Sequence, residues 1–341
     1  MIFVTGGTGF LGSHLLNKLA KEGKSVIALK RKASNFDLFE RVSKYYGNDN
    51  LSDNKNIIWR NGDLLHLDHI FNEFPDIREI YHAAALVSFA KKDRKQLYET
   101  NVLGTQNLVD TALRSGKIQR FCFVSSIAAT GREIDGEIIS EETQWADSSH
   151  NTFYGISKHL AELEVFRGMA EGLNACIINP GIILGPGEIK SGSLKMIKTV
   201  EDGLKFYPPG SNGFVDVRDV ANIMISLMKE NTSGERYILV SENLDYKTLF
   251  TIIAKELKKK PPHIPVTPLM GNIYYWKKQF STFIYKKKPL ITRETLRTSM
   301  NNYQYSNKKI LQKSGISFIS VEQSIRDTIS FNLSLVKKNK F

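Results

Sequence analysis

The sequence predicts an α/β protein: a doubly wound parallel sheet followed by a smaller, mixed carboxyl-terminal lobe. Three observations point there. An apolar stub, Ile2-Phe3-Val4, runs into the glycine-rich Thr5-Gly6-Gly7-Thr8-Gly9-Phe10-Leu11-Gly12 and on into His14 to Ala20, which has helical spacing. Short apolar runs then alternate with amphipathic ones through the first half of the chain, as successive βαβ units require. After Asn179-Pro180-Gly181 that rhythm breaks, and helices and short strands mix. At 341 residues the chain exceeds the size at which one core stops growing, and 41% hydrophobic residues suffice for a substantial interior. The expected division is a nucleotide-binding domain over 1–180, with 214–240 returning to it, and a substrate lobe over 181–213 and 241–341.

The first element explains its own glycines. A strand, a tight turn and a helix start form the arrangement that holds a dinucleotide pyrophosphate: the backbone must approach the phosphates, and the helix must present free N–H groups to negative charge. A side chain at Gly6 or Gly9 is expected to stand where phosphate sits. The pattern reads as Gly7-x-Gly9-x-x-Gly12 or as Gly6-x-x-Gly9-x-x-Gly12, and either is weak without its context. That context is a second strand, Ser25 to Leu29, at the expected distance.

At the end of that strand a cofactor with a free ribose 2′-hydroxyl would be met by Asp or Glu. The chain offers Lys30-Arg31-Lys32 instead. An Arg fork grips a 2′-phosphate through charge-assisted hydrogen bonds, so Arg31 and Lys32 favour NADP(H), with NAD(H) as the alternative. The competing explanation is ordinary solvated charge on a basic protein.

Asn56 to Arg60, Glu79 to His82, Gln119 to Ser125 and Asn174 to Asn179 are the further strands, and Gln96 to Arg114 is an amphipathic helical stretch. Residues 47–55 are polar and read as a surface insertion. Leu184-Gly185-Pro186-Gly187 reads as a loop. Phe214 to Ala221 reads as a short strand feeding a helix from Arg218 or Asp219, which would return the chain to the main sheet. The segment from Lys258 to Pro289 is rich in Pro, Lys and aromatics, with Ile273-Tyr274-Tyr275-Trp276 at its centre. Residues 273–288 could be a lid over an apolar substrate, a peripheral contact with anionic membrane, or plain packing.

The net charge of +12 raises nucleic acid or anionic membrane as partners. Its excess gathers outside the nucleotide motif, and no nucleic-acid-binding signature accompanies it, so no nucleic-acid partner is expected. Cys122 and Cys176 lie in apolar strand-like runs, consistent with a reducing compartment. The nucleotide motif starts almost at Met1, so no signal peptide is expected, and no apolar run reaches the ~18 residues of a membrane span. A cytoplasmic location follows as an expectation. No metal-ligand spacing is evident.

Two further elements carry chemistry. Val124-Ser125-Ser126 ends a strand, at the edge where open α/β sheets bind ligands. Tyr154-Gly155-Ile156-Ser157-Lys158 opens a helix expected from about Phe153 to Glu171, and the i, i+4 spacing sets Tyr154 and Lys158 on one face. A nearby ammonium favours phenolate, so the Tyr154 pKa is expected to fall. Tyr154 would then exchange a proton with a substrate oxygen that Ser126 also holds. A tyrosine and a lysine one turn apart are a poor signal alone; the glycine motif and the serine pair reverse that.

With these residues in place the chain resembles the extended short-chain dehydrogenase/reductase family, also described as the NAD-dependent epimerase/dehydratase family, over nearly its whole length. The matching pieces are Thr5 to Gly12, Gly62-Asp63-Leu64, His82-Ala83-Ala84-Ala85, Asn101 to Thr105, Ser125-Ser126, Tyr154 with Lys158, Asn179-Pro180-Gly181, and Phe214 to Ala221. The resemblance implies a Rossmann sheet, a catalytic Ser126, Tyr154 and Lys158, and cofactor contacts from Gly6, Thr8, Gly9, Phe10, Leu11 and Gly12. By the same likeness Asp63 and Leu64 border the adenine, Ala83 and Ala84 the pyrophosphate and ribose, and Pro180 with Ile183 the nicotinamide end; Lys158 also holds the ribose.

Within the family the likeness is greatest to dihydroflavonol reductase-like and 3β-hydroxysteroid dehydrogenase-like reductases, whose NADP-binding basic pair Lys30-Arg31 resembles. Ile127-Ala128 follow Ser126 where sugar dehydratases carry an Asp-Glu pair, and Thr130 precedes Gly131 where many relatives have tyrosine. Asn179 replaces a frequent Arg, which keeps a sugar nucleotide open. His82 reads as a packed residue, and Asn101 as either a water-ordering group or a helix start. The implied activity is NADP(H)-dependent interconversion of a small-molecule carbonyl and alcohol. A nucleotide-sugar epimerase with tightly held NAD and a non-catalytic NADP-binding redox sensor are the alternatives. A homodimer through the Tyr154 helix is implied by the likeness.

Overall fold

The computed structural model describes residues 1–48, 55–131, 136–230, 232–267, 270 and 293–338. The aromatic part of the basic segment, including all of 273–288 and its lid or membrane alternatives, lies outside the described residues, as does most of the polar stretch 47–55. Among the described residues, no helix is long and apolar enough to cross a membrane.

In chain order the strands are β1 (Ile2–Thr5), β2 (Val26–Lys30), β3 (Ile57–Asn61), β4 (Glu79–His82), β5 (Arg120–Val124), β6 (Ile138–Ile139), β7 (Ala175–Pro180), β8 (Ile182–Leu184), β9 (Phe206–Tyr207), β10 (Ser211–Asp216), β11 (Glu235–Leu239), β12 (Glu242–Asp245), β13 (Ile264–Pro265) and β14 (Gln304–Tyr305). The helices are α1 (Phe10–Lys21), α2 (Asp37–Tyr45), α3 (Asp68–Glu73), α4 (Arg94–Leu97), α5 (Gly104–Ser115), α6 (Phe153–Ala170), α7 (Lys195–Glu201), α8 (Val217–Lys229), α9 (Tyr246–Glu256), α10 (Arg293–Met300), α11 (Lys308–Ser314) and α12 (Val321–Lys338).

Seven strands form the main sheet in the order β3-β2-β1-β4-β5-β7-β11, every pair parallel. The order reverses direction between β1 and β4, which opens a crevice at the carboxyl edge of the strands. Side-chain alternation explains the apolar runs. Ile2, Val4, Cys122, Val124, Cys176 and Ile178 enter a core shared with α1 and α8, whereas Phe3, Phe121, Phe123, Ala175 and Ile177 enter one shared with α5 and α6. Both faces are covered, so the strands need apolar residues at every position. Cys122 and Cys176 are free and buried side by side in register.

A second sheet orders β12-β10-β8, with β10 parallel to β8 and antiparallel to β12. Its core joins Leu184 and Phe214 to Ile197, Leu249 and Ile325 from α7, α9 and α12. Phe214 to Ala221 folds as a strand feeding a helix that returns the chain to the main sheet. β10 stays in the small sheet; the return is made by α8, which packs on α1 and β5, and by β11 beside β7. Phe214 faces the small core and Val215 the main one, so the apolar pattern of β10 is that of a strand in either sheet. The helix starts at Val217, one residue before the earliest start expected.

Asp216 caps α8, accepting from the Arg218 N–H at 2.7 Å. Its carboxylate is fully buried, holds the Arg218 guanidinium through two bonds of 2.8 Å, and accepts from Ser324 Oγ of α12 at 2.6 Å. Arg218 also reaches Asp327 at 2.7 Å. Elsewhere His14 of α1 bonds Tyr46 Oη and the Pro186 carbonyl oxygen, each at 2.8 Å, and burial pushes its pKa down to about 4.

Candidate active site

The loop after β1 turns because Gly6 adopts a φ of +75°, a left-handed conformation open to glycine. A Cβ at Gly6 would stand 2.7 Å from the Ala83 and Ala84 backbone, and one at Gly12 would stand 2.0 Å from the Gly6 carbonyl oxygen. This corrects the reason expected for Gly6: the protein's own backbone fills that space, so the glycine serves loop-against-loop packing. Gly9 differs. It is exposed, caps α1 in an extended conformation, and a Cβ there meets only the Gly6 oxygen, at 3.2 Å. Thr8 and Phe10 are half-buried and Leu11 buried. The N–H groups of Phe10, Leu11 and Gly12 open the helix, where no intrahelical acceptor exists.

Arg31 and Lys32 follow β2 at the same sheet edge, both exposed, while Lys30 sits over the Phe36 ring at 5.0 Å. Asp63 is exposed and Leu64 buried, its carbonyl accepting from Asn107 at 2.6 Å. Pro180 ends β7, buried, and Ile183 lies half-buried on β8.

His82 ties the glycine loop to β4. Thr105 Oγ1 spends its one proton on the Asn101 carbonyl oxygen at 2.6 Å, so it accepts from His82 Nε2 at 3.0 Å. His82 Nδ1 is then bare and accepts from Thr5 Oγ1 at 2.7 Å, and Thr5 accepts in turn from the Ala84 N–H at 3.2 Å. Burial holds this imidazole neutral, its pKa pushed down to about 3, so His82 packs and positions Ala83 and Ala84.

Asn101 does not start a helix. It lies in a π-helical turn, Tyr98–Leu103, that joins α4 to α5, and it clamps Leu86 through both backbone groups while donating to Ser157 Oγ at 3.0 Å. Such turns recur at functional sites.

Ser126 follows β5 in an extended conformation and caps a short 3₁₀ turn, its Oγ accepting from the Ala128 N–H at 3.1 Å. Thr152 caps α6, accepting from Gly155 at 3.0 Å, and so places Tyr154 in the first turn. Tyr154 lies beside Ser126, and the Phe89 ring meets its edge at 5.8 Å. The expected pKa direction is overturned. Burial pushes the Tyr154 phenol up to about 12, and the nearby Ser126 hydroxyl offsets this only in part. Lys158 does not supply the lowering, because its ammonium is spent elsewhere: Nζ donates to the Val124 carbonyl oxygen at 2.7 Å and stands 4.1 Å from the Phe123 ring centre. Lys158 is 1% exposed, and burial pulls its pKa down to about 7 against the pull of Glu162.

Beneath this group lies a network outside the sequence reading. Asn179 is fully buried and donates to Glu162 Oε1 at 2.5 Å and to the Ser126 carbonyl oxygen at 3.0 Å. It is therefore committed inward. Arg236 of β11 approaches Glu162 at 3.5 Å. Glu162 stands four residues after Lys158, a spacing that could have marked it; nothing local marks Arg236.

The family model described as the NAD dependent epimerase/dehydratase family matches residues 2–240. The chain is 29% identical over 334 residues to a putative dihydroflavonol 4-reductase of Synechocystis sp., covering 96% of this chain and 93% of that protein. It is 25% identical to sterol demethylase protein B of Methylococcus capsulatus, covering 96% and 97%. Among solved structures, yeast methylglyoxal/isovaleraldehyde reductase Gre2 complexed with NADPH superposes with a TM-score of 0.75 at 20% identity, covering 98% of this chain and 99% of that one.

Proposed function

The chain belongs to the NAD-dependent epimerase/dehydratase family, enzymes that work with a nicotinamide cofactor, and from that premise we propose that it is an NADP(H)-dependent reductase of a small-molecule carbonyl, reversible to alcohol oxidation. The observation that carries this reading is the meeting of Tyr154, in the first turn of α6, with Ser126 at the carboxyl edge of β5. It brings a proton source and a second hydrogen-bonding hydroxyl to one point.

The residues fit the cofactor. The first turn of α1 offers unpaired N–H donors to a pyrophosphate beside the exposed Gly9, and Arg31 with Lys32 suits a 2′-phosphate. Gly6 to Gly12, Asp63, Leu64, Ala83, Ala84, Pro180 and Ile183 would border it, with Lys158 toward the ribose. The bound nicotinamide supplies or accepts the hydride. Tyr154 Oη, neutral near pH 7, gives its proton to the carbonyl oxygen as that oxygen gains charge, and Ser126 Oγ holds the same oxygen in place. In the reverse direction the phenolic oxygen takes the proton back.

The neighbours of Ser126 support a reductase over a sugar dehydratase, since buried Ile127 and Ala128 carry no acid or base. The likeness to a putative dihydroflavonol 4-reductase supports the same choice. The test is oxidation of NADPH against NADH across ketones, aldehydes and sugar nucleotides, with Tyr154→Phe alongside. Loss of about 10²- to 10⁴-fold in kcat is expected for the variant; unchanged turnover would remove Tyr154 from the chemistry.

A further inference from the structure

We propose that Glu162 is a positioning residue of this site: its buried carboxylate, one helical turn beyond Lys158 on α6, is the counter-ion of the Lys158 amine, and the Asn179 amide ties that carboxylate to the backbone of Ser126. The proposal rests on the reductase reading for its relevance to catalysis.

Tyr154, Lys158 and Glu162 follow one another at four-residue spacing, so α6 presents all three on one face, Lys158 and Glu162 buried and Tyr154 half-buried. Glu162 is 1% exposed and burial pushes its pKa up, so only partners keep the carboxylate ionised there. Its shortest bond comes from Asn179 Nδ2, at 2.5 Å, which is a neutral donor and brings no charge. Arg236 stands farther off at 3.5 Å, and its shorter bonds, 2.6 and 3.0 Å, go to the Glu141 and Thr143 carbonyl oxygens. The second cation is Lys158, one helical turn away and equally buried.

The groups facing Lys158 make the assignment specific. From β5 come only the Val124 carbonyl oxygen and the Phe123 ring. From β4 comes His82, which is neutral, and from α6 itself Tyr154, also neutral near pH 7. Arg236 of β11 repels an ammonium, and the Glu141 carboxylate is taken up by the Ile238 N–H at 2.8 Å. Glu162 is the anion this leaves for the amine, and its pull is what raises the Lys158 pKa against burial.

The test reads the amine directly in the full chain, with lysines carrying ¹³C at Cε and the Lys158 signal identified by its loss in Lys158→Gln. Glu162→Gln is expected to lower the Lys158 titration midpoint by about one pH unit, a tenfold rise in its acid dissociation constant, with Glu162→Asp moving it less. An unmoved midpoint in a folded Glu162→Gln protein overturns the proposal. A second measurement needs no substitution: in the unmodified chain, ¹³C-labelled glutamate must show the Glu162 carboxyl ionised at pH 7, and a carboxyl still protonated there overturns the proposal equally. Neither readout depends on turnover, so a shifted Lys158 in a chain that reduces no carbonyl would uphold this coupling while removing the reductase reading.

Discussion

Gly12→Ala and Gly9→Ala separate two demands that one loop places on its glycines. A methyl at Gly12 would lie 2.0 Å from the Gly6 carbonyl oxygen, 2.7 Å from the Gly6 carbonyl carbon and 2.8 Å from the Gly7 Cα, all backbone atoms. An ordinary carbon–oxygen contact needs more than an ångström beyond the first of these, so α1 must back away from the loop. Overpacking of that kind costs about 1–3 kcal/mol. At roughly 2 °C per kcal/mol for a chain of this size, the melting temperature should fall by about 2–6 °C. Gly9→Ala meets only one atom, at 3.2 Å, and should cost less than about 1 kcal/mol, mainly as a poorer helix cap. Its methyl projects from an exposed residue at the helix start, so it should weaken NADPH binding at least tenfold. Differential scanning fluorimetry and titration of NADPH fluorescence measure the two quantities on each variant. A Gly12→Ala protein that melts with the wild type, or a Gly9→Ala protein that binds NADPH unchanged, would refute the assignment.

Three more outcomes follow from the same structure. Arg31→Asp should weaken NADPH by about 10- to 100-fold, the worth of a charge-assisted bond, and leave NADH binding level or improved; an unaltered ratio in parallel titrations would make Arg31 a solvated charge. His14 is neutral in the fold, with a pKa near 4, and takes a proton near 6.5 when unfolded. Its contribution is therefore complete above pH 6.5 and is lost as pH falls toward 4, by about 3 kcal/mol, and urea unfolding across that window should be flatter for His14→Gln. Asp216→Ala strands the Arg218 guanidinium and Ser324, and should cost about 3–5 kcal/mol by urea unfolding; a loss under 1 kcal/mol would show the cluster to be dispensable.

How much of this was legible in the residues depended on how local the signal was. The glycine turn, the parallel alternation and the helix opening at Phe153 all lie within short windows, and each element stands within a few residues of its expected place. The assignment of β10 to a sheet was not legible, since a strand buried on both faces looks alike in either. Spacing placed Tyr154 and Lys158 on one face of α6 but said nothing of burial, and burial decides the direction of both pKa values. Glu162 carried a readable i, i+4 mark; Asn179 and Arg236 reach it from β7 and β11, which only the folded sheet brings alongside. The helix start weighed for Asn101 failed because a π-helical turn shows no sequence period of its own.

The cluster at Asp216 also bears on how the polypeptide matures. The residue that starts α8 is completed by Ser324, more than a hundred positions downstream, and Arg218 by Asp327 beside it. While a ribosome is still translating the intervening stretch, this buried carboxylate lacks one of its donors and the guanidinium one of its anions. Consolidation of the junction between the two sheets must wait for the final helix to emerge, which makes it a late event in biogenesis.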